Sequence, residues 1–301
     1  MSGELEHLEK SLKSKDESTV REITLKYSNS ERLKLRNEYK SKYGEDIINV
    51  IEKYMSSDFK VALLALYKEP SEYDAELLYK AMKGIGSDKD VITEILCFRN
   101  FDTINKIKEK FKEKYKKDLV SEIKTETSGD YQKTVILMLE HDRNKNNNPD
   151  LEKCKKIAEE LYNAGENKFG TNESVFIKYF TSLSAKELQL VSKEYHKNYK
   201  KNIVQVIENE FSGILKNLFK NILYGLYNPA EYYARKIYEA IDGIGTADEQ
   251  LIRCIVTRCE IDIKLIKRYF KQIFKKDMVQ RIKEDCSGEY QKLLEGIISK
   301  K

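Results

Sequence analysis

Apolar residues recur at three- and four-residue steps along most of the chain, the spacing that puts them on one face of a helix. Ile104, Ile107, Phe111 and Tyr115 form one such stripe, and it returns as Leu188, Val191, Tyr195 and Tyr199 and as Ile263, Ile266, Phe270 and Phe274. A fourth copy, Leu35, Tyr39 and Tyr43, is broken by Arg32. A shorter apolar set follows each stripe: Ile47, Ile48 and Ile51; Leu119, Val120 and Ile123; Ile203, Val204 and Ile207; Met278, Val279 and Ile282. Small residues then turn the chain into a further apolar helix, as in Ser56-Ser57, Ser128-Gly129, Ser212-Gly213 and Ser287-Gly288. Each copy therefore predicts about five helices. Stripes that recur in every copy at helical spacing read as core, not as a cofactor groove.

Taking Ser87 as a marker, the matching positions are Lys15, Thr171 and Thr246, separated by 72, 84 and 75 residues. The chain has only three prolines, Pro70, Pro149 and Pro229, and each precedes a fresh helical pattern. They predict four repeats over 4–69, 70–140, 150–228 and 229–301, with the polar stretch 141–149 as a linker.

Composition narrows the class. Of 301 residues 40% are hydrophobic and 35% charged, with no tryptophan. No run approaches the roughly 20 apolar residues needed to span a bilayer, and the charged opening predicts neither a signal nor a transit peptide. Five cysteines without CxxC pairs predict reduced core thiols and a cytoplasmic protein. The net charge of +5 permits attraction to an anionic surface without calling for nucleic acid.

The glycines carry the chemistry. Six of the thirteen fall in one loop type, Gly84 and Gly86, Gly165 and Gly170, Gly243 and Gly245, each pair just before Ser87, Thr171 or Thr246, residues able to cap the next helix. Glycine lets such a loop turn tightly and aim peptide carbonyls outward. Thirty-nine residues beyond each marker stands an acid: Glu126, Glu210 and Asp285. The first repeat has neither, with Leu12-Lys-Ser-Lys15 in the loop and Tyr54 downstream. Glycines and acid vanish together, as expected if they serve one site. Carbonyl and carboxylate oxygens at flexible spacing suit Ca²⁺, whereas zinc would want Cys or His. One carboxylate per site predicts weak binding, with open positions that a lipid phosphate can fill.

On these motifs the chain resembles the annexin family over nearly its whole length: a basic residue, Gly, any residue, Gly, Ser or Thr, then 38 residues and an acid. Lys83-Gly84-Ile85-Gly86-Ser87 with Glu126 meets it, and Gly165 to Thr171 with Glu210 is similar to the longer annexin form. The resemblance implies an all-α fold of four five-helix repeats arranged as a curved disc. It implies calcium held by the backbone oxygens of Met82, Gly84 and Gly86 with Glu126, of Gly165, Lys168 and Gly170 with Glu210, and of Ile241, Gly243 and Gly245 with Asp285. Lys83, Ile85, Phe169 and Ile244 are then the expected membrane contacts. Two departures stand in the fourth repeat, Asp242 for the basic residue and Ala247 for an acid. The arginine typical of the second helix is present as Arg99 and Arg258, but Tyr27 and Leu183 replace it in the first and third repeats.

No catalytic constellation emerges. His7, His141 and His196 are scattered, and the GxG pairs lack a P-loop ending. The expected protein is no enzyme but a monomer in solution that binds anionic phospholipid membranes when calcium rises. The alternative is an annexin-like scaffold for cytoskeletal or other protein partners, with weak or regulatory calcium loops; an ion channel is the weaker third.

Overall fold

The computed structural model describes residues 2–84, 86–167, 169–243 and 245–300. Among these the secondary structure is α-helical, with no strand. The helices fall into the four predicted sets of five. The first holds α1 (Ser2–Ser14), α2 (Glu17–Lys26), α3 (Asn29–Tyr43), α4 (Ile47–Tyr54) and α5 (Ser57–Leu66). The second holds α6 (Pro70–Met82), α7 (Lys89–Phe98), α8 (Phe101–Tyr115), α9 (Leu119–Glu126) and α10 (Gly129–Glu140). The third holds α11 (Leu151–Ala164), α12 (Glu173–Ser182), α13 (Ala185–Tyr199), α14 (Ile203–Glu210) and α15 (Gly213–Tyr227). The fourth holds α16 (Pro229–Ile241), α17 (Asp248–Val256), α18 (Ile263–Phe274), α19 (Met278–Asp285) and α20 (Gly288–Ser299).

Local chemistry explains the boundaries. Pro70 and Pro229 are the first residues of their helices, where a missing N–H costs nothing. Three of the four stripe helices begin on side-chain caps, Ser28 and Ser184 in full capping boxes with Glu31 and Glu187, and Asn100 accepting from the Thr103 N–H. They end on a left-handed residue, Gly44 in the first repeat and Lys116, Lys200 and Lys275 in the others. The fifth helix of each repeat starts in the same left-handed region, at Gly129, Gly213 and Gly288, but at Ser57 in the first repeat.

The helices assemble into two compact units. One joins Met1–Tyr73 to Ala230–Lys301, the other is Asp74–Pro229. In the second unit the stripe residues Ile104, Ile107, Phe111, Leu188, Val191 and Tyr195 are all buried in one core. There α7 and α15 come so close that a Cβ on Gly225 would lie 2.1 Å from the Cys97 carbonyl oxygen. In the first unit α5 packs on α17 and α2 on α20, where a Cβ on Gly296 would lie 2.3 Å from the end of the Leu25 side chain. Within repeats two, three and four an aromatic of the first helix stacks on the last stripe residue: Tyr79 on Tyr115, Tyr162 on Tyr199 and Tyr238 on Phe274, each at 3.8 Å. The first repeat has the exposed His7 in that place.

Arg32, the break in the first stripe, is inside the protein at 4% exposure. Its guanidinium donates to the carbonyls of Thr24, Tyr27 and Leu66 and pairs with Glu260 at 3.3 Å. It serves helix-end carbonyls that would otherwise be buried unmet. The arginines expected in the second helices lie just past the ends of α7 and α17: Arg99 forks onto Asp74 at 2.6 and 2.9 Å, and Arg258 onto Asp262 at 2.8 and 2.5 Å. In the third repeat, where Leu183 stands, the segment before α11 substitutes. Arg143 donates to the Leu183 carbonyl at 3.1 Å, and Asn144 donates to the Ser182 carbonyl and the Glu187 carboxylate. The stretch predicted as a linker is thus hydrogen-bonded to the α12–α13 junction. All five cysteines are free, and burial raises the Cys97, Cys154, Cys259 and Cys286 thiols above their ordinary values.

Candidate metal centres

The glycine loops connect the first and second helices in repeats two to four. In each, the peptide after the serine or threonine closes the loop on the preceding helix: the Asp88 N–H donates to the Ala81 carbonyl at 2.7 Å, Asn172 to Ala164 at 2.7 Å and Ala247 to Ala240 at 2.9 Å. The backbone inside the closure turns through positive φ, +112° at Gly84, +82° at Gly86, +79° at Gly170 and +83° at Gly245. Only glycine enters these conformations without steric cost.

The marker hydroxyls do not cap the next helix, as their position suggests. The caps are Asp88, Asn172 and Ala247, and of these only Asp88 accepts hydrogen bonds through its side chain, from the Asp90 and Val91 N–H groups. Each hydroxyl reaches instead across the repeat to the acid. Ser87 donates to the Glu126 carbonyl at 3.0 Å, Thr171 to the Glu210 carbonyl at 3.4 Å and Thr246 to the Asp285 carbonyl at 3.2 Å. Glu126, Glu210 and Asp285 are the last residues of α9, α14 and α19. One bond repeated three times therefore docks the glycine loop on the end of the fourth helix and brings the carboxylate to it.

The third repeat shows the closest fit. Thr171 also donates to Glu210 Oε2 at 2.7 Å, and a Cβ on Gly165 would lie 3.3 Å from that same oxygen, so the absent side chain is what seats the carboxylate. The longer loop is tied down by Glu166, which accepts from the Tyr195 hydroxyl at 2.7 Å and pairs with Lys201. Burial, and then the bond to Glu166, pushes the Tyr195 hydroxyl above its ordinary value, which keeps it a donor. Phe169, within this loop, lies fully open to solvent, not folded over the protein. Lys83 is also exposed. The other expected loop residues, Ile85, Lys168 and Ile244, lie outside the described residues.

The fourth repeat differs. Arg281, one turn before Asp285, donates to the Ile241 carbonyl at 2.9 Å and stands 3.1 Å from Asp285 Oδ2. The backbone oxygen and the carboxylate expected to take an ion are thus already in contact with a cation of the chain. In the first repeat the loop is a tight turn through Lys15 at φ +60°, with Asp16 capping α2.

Among the described residues no three His, Cys, Asp or Glu side chains converge. A cation here would depend on peptide oxygens and one carboxylate, the donor set of a weak oxygen site for a hard ion. Also among the described residues, no helix is long and apolar enough to cross a membrane. His7, His141 and His196 are all exposed.

Four repeats of five helices, three of them closing a glycine loop onto the fourth helix, define a class of repeat protein. The annexin family model matches residues 4–66, 73–138, 156–222 and 232–297, and the chain belongs to the annexin family. Annexins bind phospholipid in a calcium-dependent way and are in general binding proteins, not enzymes. The chain is 35% identical to annexin A13 of Mus musculus over 283 residues, 94% of this chain and 89% of that protein. Its structure is similar to that of annexin III, with a TM-score of 0.95 at 32% identity over 99% of this chain and 93% of the other. It is also similar to a calcium-bound annexin (Sm)1, with a TM-score of 0.87 at 26% identity over 99% and 90%.

Proposed function

We propose that the protein is a peripheral, calcium-dependent binder of anionic phospholipid membranes that works from the cytoplasm. In the second repeat calcium is held by the backbone oxygens of Met82, Gly84 and Gly86 with the Glu126 carboxylate. In the third it is held by those of Gly165, Lys168 and Gly170 with Glu210. The fourth repeat offers Ile241, Gly243 and Gly245 with Asp285, under competition from Arg281. Positions left open on each ion accept lipid phosphate oxygens, so that calcium and lipid strengthen one another and the weak loops add by avidity. Lys83 lies near the phosphates and Phe169 enters the interface, with Ile85 and Ile244 as the corresponding contacts of their loops.

The observation that carries this reading is the hydroxyl bond from the loop to the main-chain carbonyl of the acidic residue, made across 39 residues in each repeat that has both, and joined in the third repeat by a bond to the carboxylate itself. A glycine turn with only a structural role has no use for the acid.

Sedimentation with phosphatidylserine vesicles tests it. The protein is expected to pellet in calcium and to be released by chelator, and the pair Glu126→Gln and Glu210→Gln to raise the calcium needed at least tenfold. In Phe169→Trp the new indole is the only one in the chain, and its emission should shift to the blue only when vesicles and calcium are both present. Vesicle binding unchanged by the paired substitution would refute the proposal.

A further inference from the structure

The position one turn before the acid, or before Tyr54 in the first repeat, has no common residue in the four repeats: Val50, Glu122, Val206 and Arg281. The two valines are buried, and Glu122 pairs with Lys117 at 2.8 Å. Only Arg281 turns to the loop. One Nη donates to the Ile241 carbonyl at 2.9 Å and lies 3.1 Å from Asp285 Oδ2; the other donates to Glu284 at 2.6 Å. The loop residue next to Ile241 is Asp242, where the second repeat has Lys83. Glu284, Asp285 and Asp242 all favour the charged guanidinium. The fourth repeat has therefore exchanged charges between its two halves, an acid entering the loop and a base entering α19. The fit is incomplete, because Asp285 Oδ2 and Arg281 Nε are buried without a hydrogen-bond partner. A carboxylate oxygen with unmet capacity faces the loop.

We infer that the fourth loop is a cation site closed by its own chain: Arg281 bridges Ile241 and Asp285 where calcium would, and the ion enters only by displacing it. The inference rests on the calcium reading of the loops and deepens it. The guanidinium is tethered to the site, so it competes at a high effective concentration that dilution does not lower. The apparent affinity for calcium falls by the fraction of time the arginine is away, and a latch closed nine-tenths of the time weakens the site about tenfold. Divalent charge and chelation by several oxygens let calcium win once its concentration is high enough. The second and third repeats, with no such arginine, load first. The fourth adds its membrane contact only at higher calcium, and its opening frees a positive side chain beside the lipid phosphates.

Calorimetric titration of the full chain with calcium alone reads this directly. The wild type is expected to bind two ions, with a third at least tenfold weaker. Arg281→Val, which installs the residue of the first and third repeats, is expected to tighten the weakest step at least tenfold, and Asp285→Asn added to it should abolish that gain. Arg281→Gln, which drops the charge and keeps a donor for Ile241, should give a gain of the same sign and guards against misfolding of the valine variant. A weakest step that neither substitution tightens overturns the inference while leaving the calcium reading of the other loops standing. No calcium bound by any form sinks that reading itself.

Discussion

Ser57 opens α5 at φ +55°, the position that Gly129, Gly213 and Gly288 fill in the other repeats. A left-handed residue with a Cβ costs about 1–2 kcal/mol, and glycine returns about 0.4–1 kcal/mol of that through the freedom of the unfolded chain. Ser57→Gly is therefore expected to stabilise the protein by about 0.5–1 kcal/mol in urea unfolding; a loss of stability would contradict the strain. This position was legible in the sequence, because aligning the repeats sets Ser57 against three glycines. Arg32 was visible only as an interruption, since the carbonyls it serves belong to Thr24, Tyr27 and Leu66, outside its own helix. The marker hydroxyls were misread for a related reason. A cap is the local use for a serine before a helix, and the actual acceptor lies 39 residues away. Arg281 could be read as a neighbour of Asp285 but not as a ligand of Ile241, a contact made 40 residues apart.

At the scale of helices, two glycines of similar appearance carry unequal weight. Gly225 of α15 faces a backbone carbonyl on α7, which no side-chain rotation can move aside. Gly296 of α20 faces the far end of the Leu25 side chain, which has rotamers to spare. Gly225→Ala is expected to cost about 2–3 kcal/mol by overpacking. For Gly296→Ala the gain in helix propensity, about 1 kcal/mol, offsets most of the repacking. Urea midpoints of the two variants compare them, and equal losses would show that the contact with the Cys97 carbonyl is not the limiting one. The helices themselves followed from periodicity, because a stripe at three- and four-residue steps commits a segment to one face. Which helix each face meets did not follow, since α7 packs on α15 and α5 on α17 across more than a hundred residues of chain.

Over the whole molecule the candidate sites are unevenly shared. The loops of the second and third repeats, unobstructed by arginine, both belong to the unit Asp74–Pro229, while the other unit holds the tight turn at Lys15 and the loop closed by Arg281. A ligand stabilises the state it binds, by about 1.4 kcal/mol at tenfold over its dissociation constant. Calcium just sufficient for the stronger sites should accordingly slow amide exchange about tenfold in 74–229 and leave 1–73 and 230–301 nearly unchanged. Hydrogen exchange read by mass spectrometry checks this, and equal protection of both units would contradict it.

The make-up of the first unit also bears on how the protein is born. Its halves are the first and fourth repeats, and helices α2 and α5 find their partners in α20 and α17. During synthesis residues 1–73 leave the ribosome before the other three repeats and are completed only after 230–301, which carry the surface they need, have been translated. The middle unit folds from contiguous chain and need not wait. Until the fourth repeat is translated, the nascent chain therefore carries an unfinished first repeat, its apolar faces open to chaperones, ahead of a middle unit that completes itself.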